Sequence, residues 1–292
     1  MGGYSARYHA ASLAAVFLAL AIGILIGVGF GDDVVSGTTE DLEESLQNDV
    51  ERARERTDEL SRELNRERAF GDAVYPALVG GDLRGERVGL IALGALSDET
   101  ADEVGAAIEP AGARLAQVAV VREPPDLGAL ADPLRGTRYS RLRRDPDDLA
   151  DFAHDAGRGL VLGEGVARRV RAQLLSRFSG RSRAVDAVVV ARQAPEDLEP
   201  EEADVNETFE DGLLDGIGAA GRPVVGVERT DAERSSIELF SSHDISTVDD
   251  IDLVAGRLAL VSVLRGTEGD FGVKDTADEL LPELIQPAGG AQ

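Results

Sequence analysis

The sequence predicts an α/β protein with three parts: a single N-terminal transmembrane helix, a coiled-coil stalk, and a doubly wound, mostly parallel sheet. Three observations support this prediction. Residues 10–30 carry no charged side chain, residues 40–68 contain neither glycine nor proline, and beyond residue 86 short apolar runs alternate with helical patterns. The predicted divisions are a cytoplasmic N-terminus (1–9), the membrane helix (10–30), the stalk (31–69), an extracytoplasmic α/β domain (70–270) and a C-terminal tail (271–292).

The stretch 10–30 has the length and composition of a membrane span. At about 1.5 Å rise per residue, a helix of this length matches the ~30 Å hydrocarbon core of a bilayer. Arg7 precedes the stretch and the next basic residue after it is Arg52, which places the N-terminus in the cytoplasm and the bulk of the chain outside. A cleaved signal peptide is the alternative, although its apolar region is usually shorter and ends in a small-residue site. We therefore predict a single-pass protein whose first partner is the lipid bilayer, in an outer membrane if the host has one.

The charged segment that follows has the spacing of a coiled coil. Its apolar positions alternate by four and three residues, as heptad a and d positions do: Leu46, Val50, Ala53, Thr57, Leu60 and Leu64. Gly23 and Gly27 in the preceding stretch have the small-xxx-small spacing that lets membrane helices pack closely. We predict a homo-oligomer formed through residues 10–68, with a stalk that packs back on its own domain as the alternative.

The rest of the chain reads as strands separated by helices. Five short apolar runs have the length of buried strands, namely Arg87–Leu93, Ala113–Val121, Gly159–Leu162, Asp186–Ala191 and Pro223–Val227. Helices are predicted from Ser97, over residues 147–156, over Val166–Phe178, from Asn206, after Thr230, and after Thr247 as the cap of the last one. Such an alternation indicates a parallel sheet covered on both faces, and right-handed crossovers make it doubly wound, of Rossmann or flavodoxin type.

Composition excludes several classes of function. The net charge of −25 over 292 residues argues against a nucleic-acid partner, because an acidic surface repels phosphate. The absence of cysteine excludes disulfides, thiolate metal sites and cysteine nucleophiles. Soft-metal ligands are nearly absent, since Met1 is the only methionine and the histidines are His9, His154 and His243.

No catalytic, cofactor-binding or metal residue can be assigned from a motif, and we predict a protein that is not an enzyme and needs no cofactor. Ser242, His243 and Asp244 are of the triad types, but side chains adjacent in sequence cannot converge in triad geometry. The acids Asp249, Asp250 and Asp252 could attract a hard cation such as Ca²⁺, but they lack the spacing of a known calcium loop, and acids are expected at a helix N-terminus in any case.

Two further features are consistent with a binding role, although each also has a simpler explanation. Gly94 and Gly163 follow strands and could admit a ligand at the carboxyl edge of the sheet, although ordinary turns explain them. The chain also has an arginine-rich region that could dock an acidic partner, or form a solvated face: Arg135, Arg138, Arg141, Arg143 and Arg144, then Arg168, Arg169, Arg171, Arg177, Arg181 and Arg183.

Two separated segments carry a family resemblance. The segment from His243 to Leu284 contains S-T-V-D-D-I-D, then a G-R-L-A-L-V helix, an F-G pair and a terminal L-P, and the N-terminal segment reads YHAASLAAVFLALAIGILIG. Both resemble the mycobacterial copper transport protein B family. The resemblance implies a copper transport or homeostasis protein, with copper as its partner and a role as a channel or efflux component of the outer membrane.

The residues themselves do not supply the implied transport chemistry. Copper(I) sites use Cys, Met or His, and a pore needs a closed barrel or several helices, so we carry over no metal ligand. The sequence leaves two further hypotheses open beside copper homeostasis. One is a non-enzymatic cell-envelope scaffold or binding module presented on the stalk, and the other is an extracytoplasmic hydrolase.

Overall fold

The structure, a computed structural model, describes residues 6–283, and within that range it describes no side chain for residues 6–10 and 28–45. The chain divides into two units, Met1–Glu67 and Arg68–Gln292. Helix α1 (Ala6–Val79) occupies the described part of the first unit, and its residues from Arg68 onward belong to the second. The division into flank, span, stalk, domain and tail stays a prediction, and residues 284–292 of the predicted tail lie outside the described residues.

The first unit presents apolar side chains that nothing in the unit covers. Leu13, Phe17 and Leu25 are more than half exposed, and so are Leu46 and Leu60 of the predicted stalk. Residues 28–30 of the predicted membrane helix are among those without described side chains. Over the part of the chain that is described, no helix has an apolar stretch long enough to cross a membrane.

The second unit is built on one seven-stranded sheet. In chain order the strands are β1 (Arg87–Gly94), β2 (Arg114–Val121), β3 (Leu175–Gly180), β4 (Ala187–Gln193), β5 (Val224–Val227), β6 (Ser246–Val248) and β7 (Asp270–Phe271). Their order across the sheet is β3-β2-β1-β4-β5-β6-β7. Every neighbouring pair is parallel except β2 and β3, which are antiparallel. The predicted α/β class with a mostly parallel sheet is therefore confirmed.

Helices cover both faces of this sheet. They are α2 (Asp98–Ile108), α3 (Leu127–Ala131), α4 (Pro146–Leu162), α5 (Gly165–Arg169), α6 (Arg171–Leu174), α7 (Pro200–Gly218), α8 (Ile237–Ser242) and α9 (Val254–Leu264). One hydrophobic core contains Ile91 and Leu93 of β1 with the inner sides of α4 and α7. The other contains Val88 and Leu90 of β1 with α2, α9 and the end of α1. Successive residues of β1 thus enter opposite cores, which is why this strand is an unbroken apolar run.

The strand order places the topological switch point between β1 and β4. The chain winds outward from β1 through β2 to one edge, then returns to β4 and winds outward to the other. The order 3-2-1-4-5-6 is that of the Rossmann fold, although β3 here is antiparallel to its neighbour. In such sheets, ligands bind beyond the carboxyl ends of the strands at the switch point.

The predicted strand Gly159–Leu162 is wrong, because these residues form the last turn of α4. Asp145 accepts a hydrogen bond from the Asp147 amide, Pro146 occupies the first turn, and Gly163 ends the helix with φ +69°. Leu160 and Val161 are buried against the core beside the sheet. A four-residue apolar run is too short to distinguish a strand from a buried helix end.

The predicted helix over Val166–Phe178 is also wrong. Two short helices, α5 and α6, are followed by the edge strand β3, which contains Phe178. Backbone pairing with β2 brings Phe178 opposite Ala119. The end of the segment with the four-residue repeat therefore forms a strand instead of a helix, because β3 pairs with the edge of β2 that would otherwise be unpaired.

Three predicted helix starts lie elsewhere, and the first is Asn206, which is inside α7 because that helix begins at Pro200. Thr247 is inside β6, and the last helix begins only at Val254. Thr230 precedes no helix directly, since α8 begins at Ile237. Its amide and its hydroxyl both donate to the Asp252 carboxylate, over 2.8 and 2.7 Å. Thr230 thus connects the loop after β5 with the loop after β6.

Candidate functional site

A cleft of about 260 Å³ opens at the carboxyl ends of β1, β4 and β5, beside the switch point of the sheet. Its walls come from the turn after β1 with the start of α2, from the end of β4, and from the loop after β5. The polar groups lining it include Ser97, Thr100, Arg192, Glu228 and Arg229. This is the position at which doubly wound sheets bind ligands, so we take it as the candidate functional site.

The wall after β1 is fixed by local hydrogen bonds. Ser97 caps α2 by accepting from the Thr100 amide over 3.1 Å, and the two hydroxyl oxygens lie 3.0 Å apart. The predicted helix start at Ser97 is thereby confirmed. Gly94 has φ +80°, and a Cβ at this position would overlap the carbonyl oxygen of Gln193. Because Gly94 has no side chain, β1 can lie close to β4 at this point. The next residue, Ala95, lines the cleft.

Arg192 forms the floor of the cleft through a buried ion pair. Its Nε and Nη2 donate to Glu210 Oε1 and Oε2 over 2.7 and 3.1 Å, and Glu210 of α7 is only 4% exposed. The bidentate geometry fixes the guanidinium plane and satisfies both carboxylate oxygens. Since the pair takes up the charge of Arg192, the floor presents a neutral, rigid polar surface rather than a free cation.

A second carboxyl group lies against this pair. Glu123 follows β2, and both of its carboxyl oxygens are shielded from solvent and have no hydrogen-bonding partner among the described residues. Burial, together with the charge of Glu210, raises the pKa of Glu123 to about 9. Glu123 therefore holds a proton at neutral pH, and the group of Glu123, Arg192 and Glu210 carries no net charge.

Glu228 fixes the opposite wall. It is 6% exposed, and its carboxylate accepts from the Ser235 hydroxyl over 2.9 Å, from the Ser236 amide over 2.8 Å and from Lys274 Nζ over 2.5 Å. The neighbouring Arg229 pairs with Glu103 of α2 and with Asp231. These contacts determine the shape of the loop that follows β5.

The acidic segment after β6 organises the C-terminal part of the unit. Asp249 accepts from the amides of Val273 and Lys274 over 2.8 and 3.1 Å. Asp250 is fully buried, and neither of its oxygens has a partner in the described structure. Burial, with the charges of Asp249 and Asp252 beside it, raises the pKa of Asp250 to about 7.

Asp249 and Asp252 accept hydrogen bonds from different segments, Asp249 from residues 273 and 274 and Asp252 from Thr230, whereas Asp250 has no partner among the described residues. Across the residues that the structure describes, no group of three His, Cys, Asp or Glu side chains is arranged to hold a metal ion. Asp249 and Asp252 instead connect loops.

The residues of triad type are separated as well. Ser242 Oγ donates to the carbonyl of Leu239 over 2.7 Å. The ring nitrogens of His243 lie 2.8 and 3.2 Å from carboxylate oxygens of Asp215 and Asp211 on α7. Asp244 adopts a left-handed conformation with φ +57°. None of the three lines the cleft.

The arginine-rich region divides in the structure. Arg135, Arg141, Arg143 and Arg144 line one hollow away from the cleft. The guanidinium of Arg171 lies over the Phe178 ring with 5.0 Å to its centroid. The region is therefore not one continuous basic surface.

The sequence patterns missed the groups that shape the cleft. Glu123, Arg192 and Glu228 match no motif, yet each stands at or just after the end of a strand in the apolar runs ending at residues 121, 191 and 227. A charged residue directly after a buried parallel strand points to the carboxyl edge of the sheet, and this signal could have identified all three. Glu210 gives no such signal, because it lies within a helix that is acidic throughout.

The second unit is thus a doubly wound α/β domain with an open, mixed-polarity cleft at its switch point. Residues 4–282 match the model of the family described as "Copper transport outer membrane protein, MctB". This match covers nearly the whole chain, so the chain belongs to that family, and the resemblance predicted from its two end segments is confirmed. A comparison with curated proteins gives no match.

Proposed function

We propose that this protein is a non-enzymatic, membrane-anchored component of copper transport and homeostasis. The observation that carries the proposal is the family match over residues 4–282, since it spans both the N-terminal apolar segment and the α/β unit. The family description also supports an outer-membrane location.

Copper enters this proposal as cargo of a system and not as an ion held by this chain in isolation. The sequence has no cysteine and one methionine, whereas copper(I) sites are built from thiolate, thioether and imidazole ligands. The contribution of the chain is then to bind a ligand or partner in the cleft between β1, β4 and β5, and so to regulate or assemble the transport machinery.

Anchoring through residues 10–30 is the second part of the proposal. The segment has no charged residue, and its described apolar side chains, such as Leu18 and Ile24, are more than half exposed. Insertion into lipid would remove that surface from water at about 25 cal/mol per Å². The expected topology is a single pass, with the N-terminus on the inner side of the membrane and the bulk of the chain on its outer side.

Self-association through residues 10–68 is the third part. Leu46, Val50, Leu60 and Leu64 are all roughly half exposed on α1, and a second copy would cover them in a coiled coil. Because the wild-type sequence contains no cysteine, single cysteines introduced at these positions allow a direct cross-linking test. Cross-links between copies at positions 46 and 60 support the coiled coil, and their absence contradicts it.

Gene deletion with measurement of cellular copper tests the main proposal. We expect the deletion strain to accumulate copper and the wild-type gene to restore the normal level. The cleft-filling variant Ala232→Trp should fail to restore it, whereas Ala203→Trp on the exposed face of α7 should succeed as the matched control. Unchanged copper accumulation in the deletion strain would overturn the proposal.

A cell-envelope binding module is the second candidate, and the cleft itself favours it. Its position at the switch point suits a small ligand whatever the ligand's chemistry. This candidate predicts normal copper levels in the deletion strain together with an altered envelope. A hydrolase is less favoured, because the Ser97 hydroxyl is held in the α2 cap and no histidine is among the described residues that line the cleft.

A further inference from the structure

Two adjoining hollows of opposite character lie on the α/β unit, at residues distinct from those lining the cleft. The first, of about 390 Å³, is polar and is lined by Arg135, Arg141, Arg143 and Arg144 with Asp132 and Ser140. The second, of about 230 Å³, has an apolar lining that includes Leu127, Leu142, Leu149 and Val205. Arg143 and Arg144 line both hollows and therefore stand at the boundary between them.

The polar hollow has an excess of positive charge. Arg135 pairs with Asp132 over 2.8 Å, and Arg141 pairs with Asp145 and Asp148 over 3.3 and 3.2 Å. Among the described residues, neither Arg143 nor Arg144 has an ion-pair partner, and both are exposed. In a chain of net charge −25, two such guanidinium groups side by side are an unusual local concentration of positive charge.

The two arginines at the boundary fit a phosphate group. A guanidinium presents parallel N–H donors that match phosphate oxygens, and charge-assisted bonds of this kind are about twice as strong as neutral ones. Ser140, in the same lining, adds a hydroxyl donor. A free phosphate would use only these groups and would leave the neighbouring apolar hollow empty.

The apolar hollow fits the beginning of a hydrocarbon chain. Leu142 and Leu149 are nearly completely buried and form its base, while Leu127 and Val205 remain half-buried at its sides. Each methylene group transferred from water into such a site contributes about 0.8 kcal/mol. Asp204 and Asp145 also belong to this lining, so a bound hydrocarbon chain would have polar side chains beside it. An acidic group without an attached hydrocarbon would satisfy the arginines but would gain nothing from this hollow.

We propose that this face binds an amphiphile with a phosphate head and a hydrocarbon chain, with the phosphate held by Arg143 and Arg144 and the chain seated against Leu142, Leu149 and Val205. The site is independent of the cleft and of the copper proposal. It assigns a function to a part of the arginine-rich region that the sequence left open between a docking surface and a solvated face.

Lipid binding to the full-length protein in an uncharged detergent tests this proposal. The probes are short-chain phosphatidic acid, the corresponding uncharged diacylglycerol and inorganic phosphate, with bound molecules counted by native mass spectrometry. We expect wild type to bind phosphatidic acid at least about tenfold more tightly than either other probe, because only phosphatidic acid uses both hollows.

Two variants and one control locate the site. Arg143→Gln/Arg144→Gln should lose one bound phosphatidic acid relative to wild type, and Val205→Ser should weaken phosphatidic acid without changing phosphate binding. Arg168→Gln/Arg169→Gln makes the same charge change at exposed positions of α5 and should bind as wild type does. Phosphate bound as tightly as phosphatidic acid would overturn the amphiphile. So would an equal loss in the control, which would indicate a general charge effect, or full binding by the Arg143/Arg144 variant.

Discussion

Lys274, the only lysine in the chain, lies 2.5 Å from Glu228 through its Nζ and 2.9 Å from the carbonyl oxygen of Arg229. Its own amide donates to Asp249 over 3.1 Å. Lys274, in the segment that follows β7, therefore connects the loop after β5 with the loop after β6. Since Glu228 lines the cleft, Lys274 couples the C-terminal segment to the shape of the candidate site.

Removing this ion pair should destabilise the protein. In Lys274→Met, the buried Glu228 carboxylate keeps its two serine donors but loses its countercharge, which costs about 1–3 kcal/mol of unfolding free energy. The double variant with Glu228→Gln should recover part of the loss. Urea unfolding of the four members of this cycle measures the coupling. Arg135→Met, which removes a largely exposed pair, should stay within about 0.5 kcal/mol of wild type.

Gly272 should not tolerate a side chain. It has φ +146°, and a Cβ would overlap the carboxylate of Asp249 just where that group accepts from Val273 and Lys274. We expect Gly272→Ala to lower the unfolding free energy by at least about 2 kcal/mol. Gly105→Ala, with open space around it in α2, is the matched control and should be neutral or stabilising by up to ~1 kcal/mol. Equal effects of the two substitutions on the thermal midpoint would contradict the proposed contact.

The sequence predicts the buried central strands, but it does not predict contacts between distant residues such as that between Asp249 and Gly272. The apolar runs at residues 87, 113, 186 and 223 predicted four strands of the sheet, because burial on both faces leaves a continuous apolar signal. The strands β3, β6 and β7 were missed, since they are short or lie toward the sheet edges and depend on pairing with neighbours distant in sequence. The same holds for the S-T-V-D-D-I-D segment, whose local pattern predicts a helix start. Its Thr247 donates to Asp270 and its Asp249 accepts from residues 273 and 274, contacts that no local pattern encodes.

Asp250 should make the protein less stable as the pH rises from about 4 to 7. Burial raises the pKa of Asp250 to about 7, so the folded state keeps a proton over a range in which the unfolded chain has lost it. The contribution of Asp250 to the unfolding free energy then falls by up to ~1.4 kcal/mol per pH unit across this window, and it does not change further above pH 7. Asp250→Asn should remove this contribution and make the decline between pH 4 and 7 less steep than in wild type, as measured by urea unfolding in a pH series. An unchanged slope would show that Asp250 is ionised in the folded state.

Glu123 should produce a separate effect that extends to higher pH. Its pKa is raised to about 9 by burial and by the charge of Glu210, whereas the unfolded side chain titrates near 4.5. The folded state again binds the extra proton, so the unfolding free energy falls as the pH rises between these two values. Between about pH 7 and 9 the decline comes from Glu123 and no longer from Asp250. Glu123→Gln removes the titration and keeps the shape, and it should leave the unfolding free energy nearly flat over pH 7–9. Glu210→Gln provides the contrast, because it deprives the buried Arg192 of its countercharge and should destabilise the fold by about 3 kcal/mol or more at every pH tested. If Glu123→Gln kept the wild-type slope above pH 7, the proton would not reside on Glu123, and the floor of the cleft would carry a net negative charge.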